Sequence, residues 1–109
     1  MNTQQQATIS GATRLIGIVG DPVSQVKSPQ TWNPRLAKSG HDAVLIPIHV
    51  RAADFDKAID AIMRIANLDG LVFTMPFKER VIPHLASISH RAGQVGAVNA
   101  AKRSKPRLD

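Results

Sequence analysis

Three short apolar runs, separated by stretches with helical spacing, constrain the fold of this chain more than any other feature. Residues 14–19 (RLIGIV) are nearly continuous in apolar side chains and end at Gly20-Asp21-Pro22, a strong turn signal. Residues 43–50 (AVLIPIHV) form the second run, and residues 71–74 (LVFT), introduced by Asp69-Gly70, form the third. Runs of this length and branched composition read as buried strands. Between the second and third runs, behind the acidic Asp54, apolar residues recur at Phe55, Ala58, Ile59, Ile62, Met63 and Ala66. That three-to-four spacing marks an amphipathic helix. Between the first and second runs, Ser28-Pro29 suits a helix start with a serine cap and proline in the first turn, and Gly40 suits a stop after about Ser39. Pro34 lies inside this helix, so its first turns are expected to be distorted or the regular helix to start later. Strand, helix, strand, helix, strand predicts an α/β fold: a small, mostly parallel sheet flanked by helices, with right-handed crossovers.

The remaining segments extend this pattern. Pro47 removes a donor from the second strand, which places that strand at an edge or gives it a bulge. Pro76 starts a short helix through about Leu85, a further one covers residues 87–92, and residues 96–100 read as a fourth, small-residue strand. With 109 residues the chain has the length of one domain. Aromatic residues make up 4%, so the core must be built mainly from Val, Ile, Leu and Ala. The expected organisation is a disordered leader over 1–12, a ligand-binding domain over 13–101 and a basic tail over 102–109. The absence of cysteine excludes disulfides, thiolate metal sites and a cysteine nucleophile. No apolar run approaches the roughly 20 residues that span a bilayer. The polar start lacks the basic and apolar regions of a signal peptide, so a cytoplasmic protein is expected.

The formal net charge is +6, and half of it comes from the tail, where Lys102, Arg103, Lys105 and Arg107 are offset by Asp109 alone. A basic tail is one footprint of nucleic-acid binding, but the rest of the chain has no basic helix face with interleaved aromatics.

Ligands of open α/β sheets sit at the carboxyl ends of strands. Three segments fall there: residues 20–28, residues 74–78 and the surroundings of Asn99. They offer Ser28, Thr74, Asn99 and Lys78, which suit a ligand carrying hydroxyls and a carboxylate: directional hydrogen bonds for the one, a positive charge and a titratable amine for the other. Taken singly, each has a plainer reading. Ser28 reads as a helix cap, Thr74 as a strand residue, Lys78 as a solvated lysine and Asn99 as a turn residue. Trp32, the only tryptophan, reads as packing. His41, His49, His84 and His90 are scattered without the spacing of a metal site and are given no chemistry.

In combination these residues resemble the shikimate dehydrogenase family. Gly20-Asp21-Pro22-Val23, Ser28-Pro29 and Asn33 are similar to that family's Gly-Asn-Pro-Ile-like turn, Ser-x-Ser-Pro segment and His-Asn pair. Gly70 to Lys78 (GLVFTMPFK) resembles its Gly-x-Asn-Val-Thr-x-Pro-x-Lys stretch, and Gly96-Ala97-Val98-Asn99 its Gly-Ala-Val-Asn-Thr motif. The three motifs occur in order and cover roughly residues 14–100. The resemblance implies that Lys78 is the catalytic lysine that handles the proton as hydride leaves the substrate. It implies that Ser28 contacts the substrate carboxylate and that Thr74 and Asn99 bind the carboxylate and ring hydroxyls. It implies the interconversion of 3-dehydroshikimate and shikimate, or chemistry on a related hydroxy acid such as quinate. The cofactor would be NADP or NAD, held by a second domain.

Four positions depart from the family pattern. Val26 replaces the first serine of Ser-x-Ser, Val72 replaces asparagine, Trp32 replaces histidine and Ala100 replaces threonine. Losing a hydrogen bond to a charged ligand typically costs about 1.5–3 kcal/mol, which favours a related acid over shikimate itself. No Gly-x-Gly-x-x-Gly loop occurs, so the nucleotide-binding domain is expected to be absent. The family's catalytic aspartate has no counterpart in residues 102–109. The expected protein is thus a substrate domain that is inactive by itself and whose partner is the missing nucleotide-binding half. The alternatives are a stand-alone hydroxy-acid-binding module and a small basic nucleic-acid-binding protein.

Overall fold

The computed structural model describes residues 8–85, 100–104 and 107–108. Strands β1 (Arg14–Gly20), β2 (Ala43–His49) and β3 (Leu68–Phe73) run parallel, with β1 in the middle. β4 (Ala100–Ser104) pairs antiparallel with β3, and β5 (Arg107–Leu108) antiparallel with β4, giving the order β2-β1-β3-β4-β5. The crossovers are helix α1 (Ser28–Lys38) and, between β2 and β3, a 3-10 turn (Ala52–Asp54) leading into α2 (Phe55–Ile62). After β3 come the short α3 (Phe77–Arg80) and a second 3-10 turn (Ile82–His84). The expected α/β layer, its parallel pairing and its helix-covered faces are all present. No helix among the described residues is long and apolar enough to cross a membrane.

Alternation along the strands divides the apolar side chains between two faces. Val19, Leu71 and Phe73 meet Phe55, Ile59, Phe77 and Val81 in the main core. Phe55 and Phe77 stack with ring centroids 4.1 Å apart, so two of the chain's three phenylalanines join α2 to α3. Burying one such ring contributes about 1.5–3 kcal/mol. The opposite face carries Ile16, Leu45 and Val72 beneath α1, a helix with no fully buried residue. That face is therefore the less completely packed of the two.

Several local expectations are corrected. α2 stops at Ile62 rather than near Ala66, because Arg64 and Ile65 donate to the carbonyls of Ala61 and Ile62 and tighten the end of the helix. Asp69-Gly70 is not a turn before β3 but lies within it. A side chain on Gly70 would meet the Ala101 carbonyl at 2.9 Å, so the glycine serves the close approach of β4. β4 (Ala100–Ser104) takes in Ala100, the last residue of the expected strand 96–100, and its pairing with β3 includes Lys102, which is exposed. The helix expected over 87–92 and residues 96–99 lie outside the described residues. Just before β1, Ser10 N–H donates to Thr13 Oγ1, and the buried Thr13 donates to Asp42 Oδ1 at 2.8 Å.

β2 is an edge strand, as Pro47 implies, and the fold covers that edge with a side chain. Leu45 lies opposite Ile16 of β1, yet its N–H and C=O bond to Asn33 of α1 instead, at 2.7 and 2.9 Å. The carboxamide thus takes the place of a neighbouring strand. Replacing Asn33→Ala should cost about 1–3 kcal/mol, since both backbone groups then lose their partner. Urea unfolding monitored by far-UV circular dichroism checks this; an unchanged midpoint would show that water satisfies Leu45 equally well.

Candidate functional site

The parallel strands end together at Gly20, His49 and Phe73, and the loops beyond them are tied to one another. Thr74 N–H donates to Val19 C=O at 2.9 Å, Asp21 N–H to Met75 C=O at 3.1 Å and Val50 N–H to Gly20 C=O at 3.1 Å. Gly20 is the centre of this knot. A Cβ there would collide with the Thr74 methyl and crowd Val23 at 3.2 Å. The absence of a side chain is what lets the loop after β3 close over the end of β1.

Three of the four residues singled out in the sequence lie at this edge. Ser28 opens α1, yet its hydroxyl does not cap the helix: no side-chain cap bond is made, and Pro29 fills the first turn. The half-buried Ser28 instead lines a cavity of about 230 Å³ together with Ile16, Trp32, Leu36, Leu45 and Val72. Thr74 is half-buried just beyond β3, and the Phe77 amide donates to its carbonyl at 3.0 Å. Lys78, one residue further on in α3, is exposed. Thr74 and Lys78 do not line the cavity beside Ser28. Asn99 lies outside the described residues; its neighbour Ala100 pairs with Val72. Among the described residues, none is hydrogen-bonded to Ser28 Oγ, Thr74 Oγ1 or Lys78 Nζ, three polar groups at one sheet edge.

Two polar clusters escaped the sequence reading. Asp21 accepts from His49 Nε2 at 2.8 Å and from Ala52 N–H at 2.9 Å, fastening the loop after β1 to the end of β2. The His49 bond and then the Ala52 amide hold the Asp21 carboxyl below its ordinary value. The second cluster joins His84 to Asp56 and Asp60 of α2. Its only sequence signal is the placement of Asp56 and Asp60 four residues apart, on one helix face. No cluster of His, Asp or Glu among the described residues is arranged to hold a metal ion. Nor does the turn after β1, Gly20-Asp21-Pro22, offer the glycine-rich cradle that a dinucleotide pyrophosphate requires.

Comparison with known proteins decides the family. A profile described as the shikimate dehydrogenase substrate binding domain matches residues 18–101. The chain belongs to this family. An NADP(+) shikimate dehydrogenase of Thermosynechococcus vestitus is 40% identical over 97 residues, covering 89% of this chain and 34% of that protein. The crystal structure of shikimate dehydrogenase from Aquifex aeolicus superposes with a TM-score of 0.86 at 30% identity, over 93% of this chain and 38% of that one. Shikimate 5-dehydrogenase from Listeria monocytogenes, solved with shikimate and NAD, gives 0.86 at 30% identity, over 97% and 36%. The chain thus spans about a third of the length of the curated relatives it matches. Within the shikimate dehydrogenase substrate-binding domain, Gly20, Ser28, Thr74 and Lys78 all fall in the matched region.

The contact at Gly20 is open to a direct check. Gly20→Ala should destabilise the chain by about 1–3 kcal/mol, the usual range for overpacking. Adding Thr74→Ser, which removes the colliding methyl, should recover most of the loss. Thermal unfolding of the two single variants and the double variant measures it; additive losses would mean that the knot closes in some other way.

Proposed function

We propose that this chain binds the substrate of an NADP-dependent oxidoreductase acting on shikimate or a closely related hydroxy acid such as quinate. The observation that carries this reading is the set of polar groups at the carboxyl edge of the sheet that no described residue engages, inside the region that matches the family. A half-buried hydroxyl without a partner is costly unless a ligand or water completes it. In this reading Ser28 donates to the substrate carboxylate, and Thr74 and Asn99 bind the carboxylate and ring hydroxyls. Lys78, as the neutral amine, takes the proton of the hydroxyl being oxidised, and as the ammonium returns it in the reverse direction. The dinucleotide belongs to another domain, since these elements hold no pyrophosphate cradle.

The cavity beside Ser28 bears on specificity. Five of its six lining residues are Ile16, Trp32, Leu36, Leu45 and Val72, so a hydroxyl presented there meets apolar surface. Val72 stands where the family pattern has asparagine. This supports weak binding of shikimate.

Trp32 lines the cavity and is the only tryptophan, so its fluorescence reports occupancy. Titration with shikimate and quinate should show saturable binding. Ser28→Ala should weaken it about tenfold or more, the worth of one hydrogen bond to a charged group. Val72→Asn should strengthen shikimate binding by about tenfold on the same grounds. Variants of Ser28 and Val72 that bind as the parent does would contradict the assignment.

A further inference from the structure

His84 is held in an arrangement that one protonation state alone can satisfy. Its Nε2 lies 2.9 Å from Asp56 Oδ1 and its Nδ1 lies 3.0 Å from Asp60 Oδ1. Ionised carboxylates only accept hydrogen bonds, so both ring nitrogens must carry a proton. A neutral imidazole has one N–H and would turn a lone pair toward one of the two carboxylates.

We propose that His84, as imidazolium, is a protonation-controlled staple that fixes α3, and with it Lys78, against α2. It acts as a positioning residue, and its bearing on catalysis rests on the reading of Lys78 given above.

The surroundings fit this role. The His84 side chain is 15% exposed, whereas those of Asp56 and Asp60 are 68% and 62% exposed, so the ring is the anchored partner. Its edge packs on Phe55 at 5.9 Å between centroids, and Phe55 stacks on Phe77, the residue before Lys78. From α3, Arg80 reaches the same cluster. Its Nη2 lies 3.5 Å from Asp56 Oδ2, its Nη1 donates to Ala52 C=O at 2.7 Å, and its guanidinium lies over Phe55 and Phe77. Asp54, Lys57 and Glu79 on these elements are exposed and have no described ion pair with His84. Two carboxylates therefore face two cations across the α2–α3 seam. Lys78 lies on α3, one residue after Phe77 of this seam.

The sense of the pH dependence follows from the same contacts. Burial by itself lowers the His84 pKa, but the bonds to Asp56 and Asp60 outweigh it and the net direction is upward from 6.5. The contribution is therefore complete below 6.5 and lost as pH rises through the folded-state value. Asp56 is lowered from 3.8, first by the His84 bond, so its share is lost as pH falls below that range. The staple is closed between these limits and opens on the alkaline side.

Nuclear magnetic resonance of the whole chain tests this. The His84 ring should titrate above 6.5, with both nitrogens protonated at about pH 6. Asp60→Asn, at an exposed position that leaves the Asp56 bond in place, should move that titration down. It should also lower the hydrogen-exchange protection of the Val81 and His84 amides at least about threefold, while Val19 and Leu71 keep theirs. Asp56→Asn provides a second variant with the same expectation. A ring that titrates at or below 6.5, or unchanged protection of the Val81 and His84 amides in both variants, overturns the staple. A chain that shows these effects yet binds no shikimate overturns the functional reading and leaves the staple standing.

Discussion

Gly20 has no side chain, and the carboxyl edge of the sheet closes where that side chain would be. Three loops converge there: the Thr74 amide reaches Val19, the Asp21 amide reaches Met75 and the Val50 amide reaches Gly20. These bonds do not belong to the strand ladders. They fix the loop that leads to Ser28 against the loop that leads to Lys78, although the two residues are fifty positions apart in the chain. The site therefore depends on backbone geometry at one glycine before it depends on any polar side chain.

The two faces of the sheet are finished to different degrees. Below β1 and β3, Phe55, Phe73, Phe77, Leu71 and Val81 are essentially buried and bind α2 and α3 tightly. Beneath α1 the packing is looser, Trp32 is 50% exposed and a cavity opens beside Ser28. The sheet thus has a closely packed face and a looser one, and the cavity lies on the second. Asn33 keeps the looser side from unravelling by closing the free edge of β2.

Much of this was legible in the sequence, for physical reasons that particular residues illustrate. The strands were visible because buried parallel strands need continuous apolar runs, and α1 because Pro29 and Gly40 punctuate it; Gly40 adopts φ 78, as its C-terminal position requires. Ser28 was read two ways, and the absence of a side-chain cap favours its availability to a ligand. Gly70 was misread because a glycine serving a close strand approach and a glycine in a turn look alike in sequence. The run of β4 through Ala101 to Ser104 was not visible because its strand character comes from pairing with β3, not from its own pattern. The His84 cluster stayed hidden because its partners lie 24 and 28 residues away and meet only through the stacking of Phe55 on Phe77.

The central claim is that the carboxyl edge of the parallel sheet is the ligand site. Amide chemical-shift mapping during addition of shikimate or quinate to the labelled chain tests it without needing turnover. The account predicts that the shifts concentrate at Gly20, Ser28, Val72, Thr74 and Lys78. Shifts confined to the opposite edge, around Arg14, Asp42 and Asp69, would contradict it.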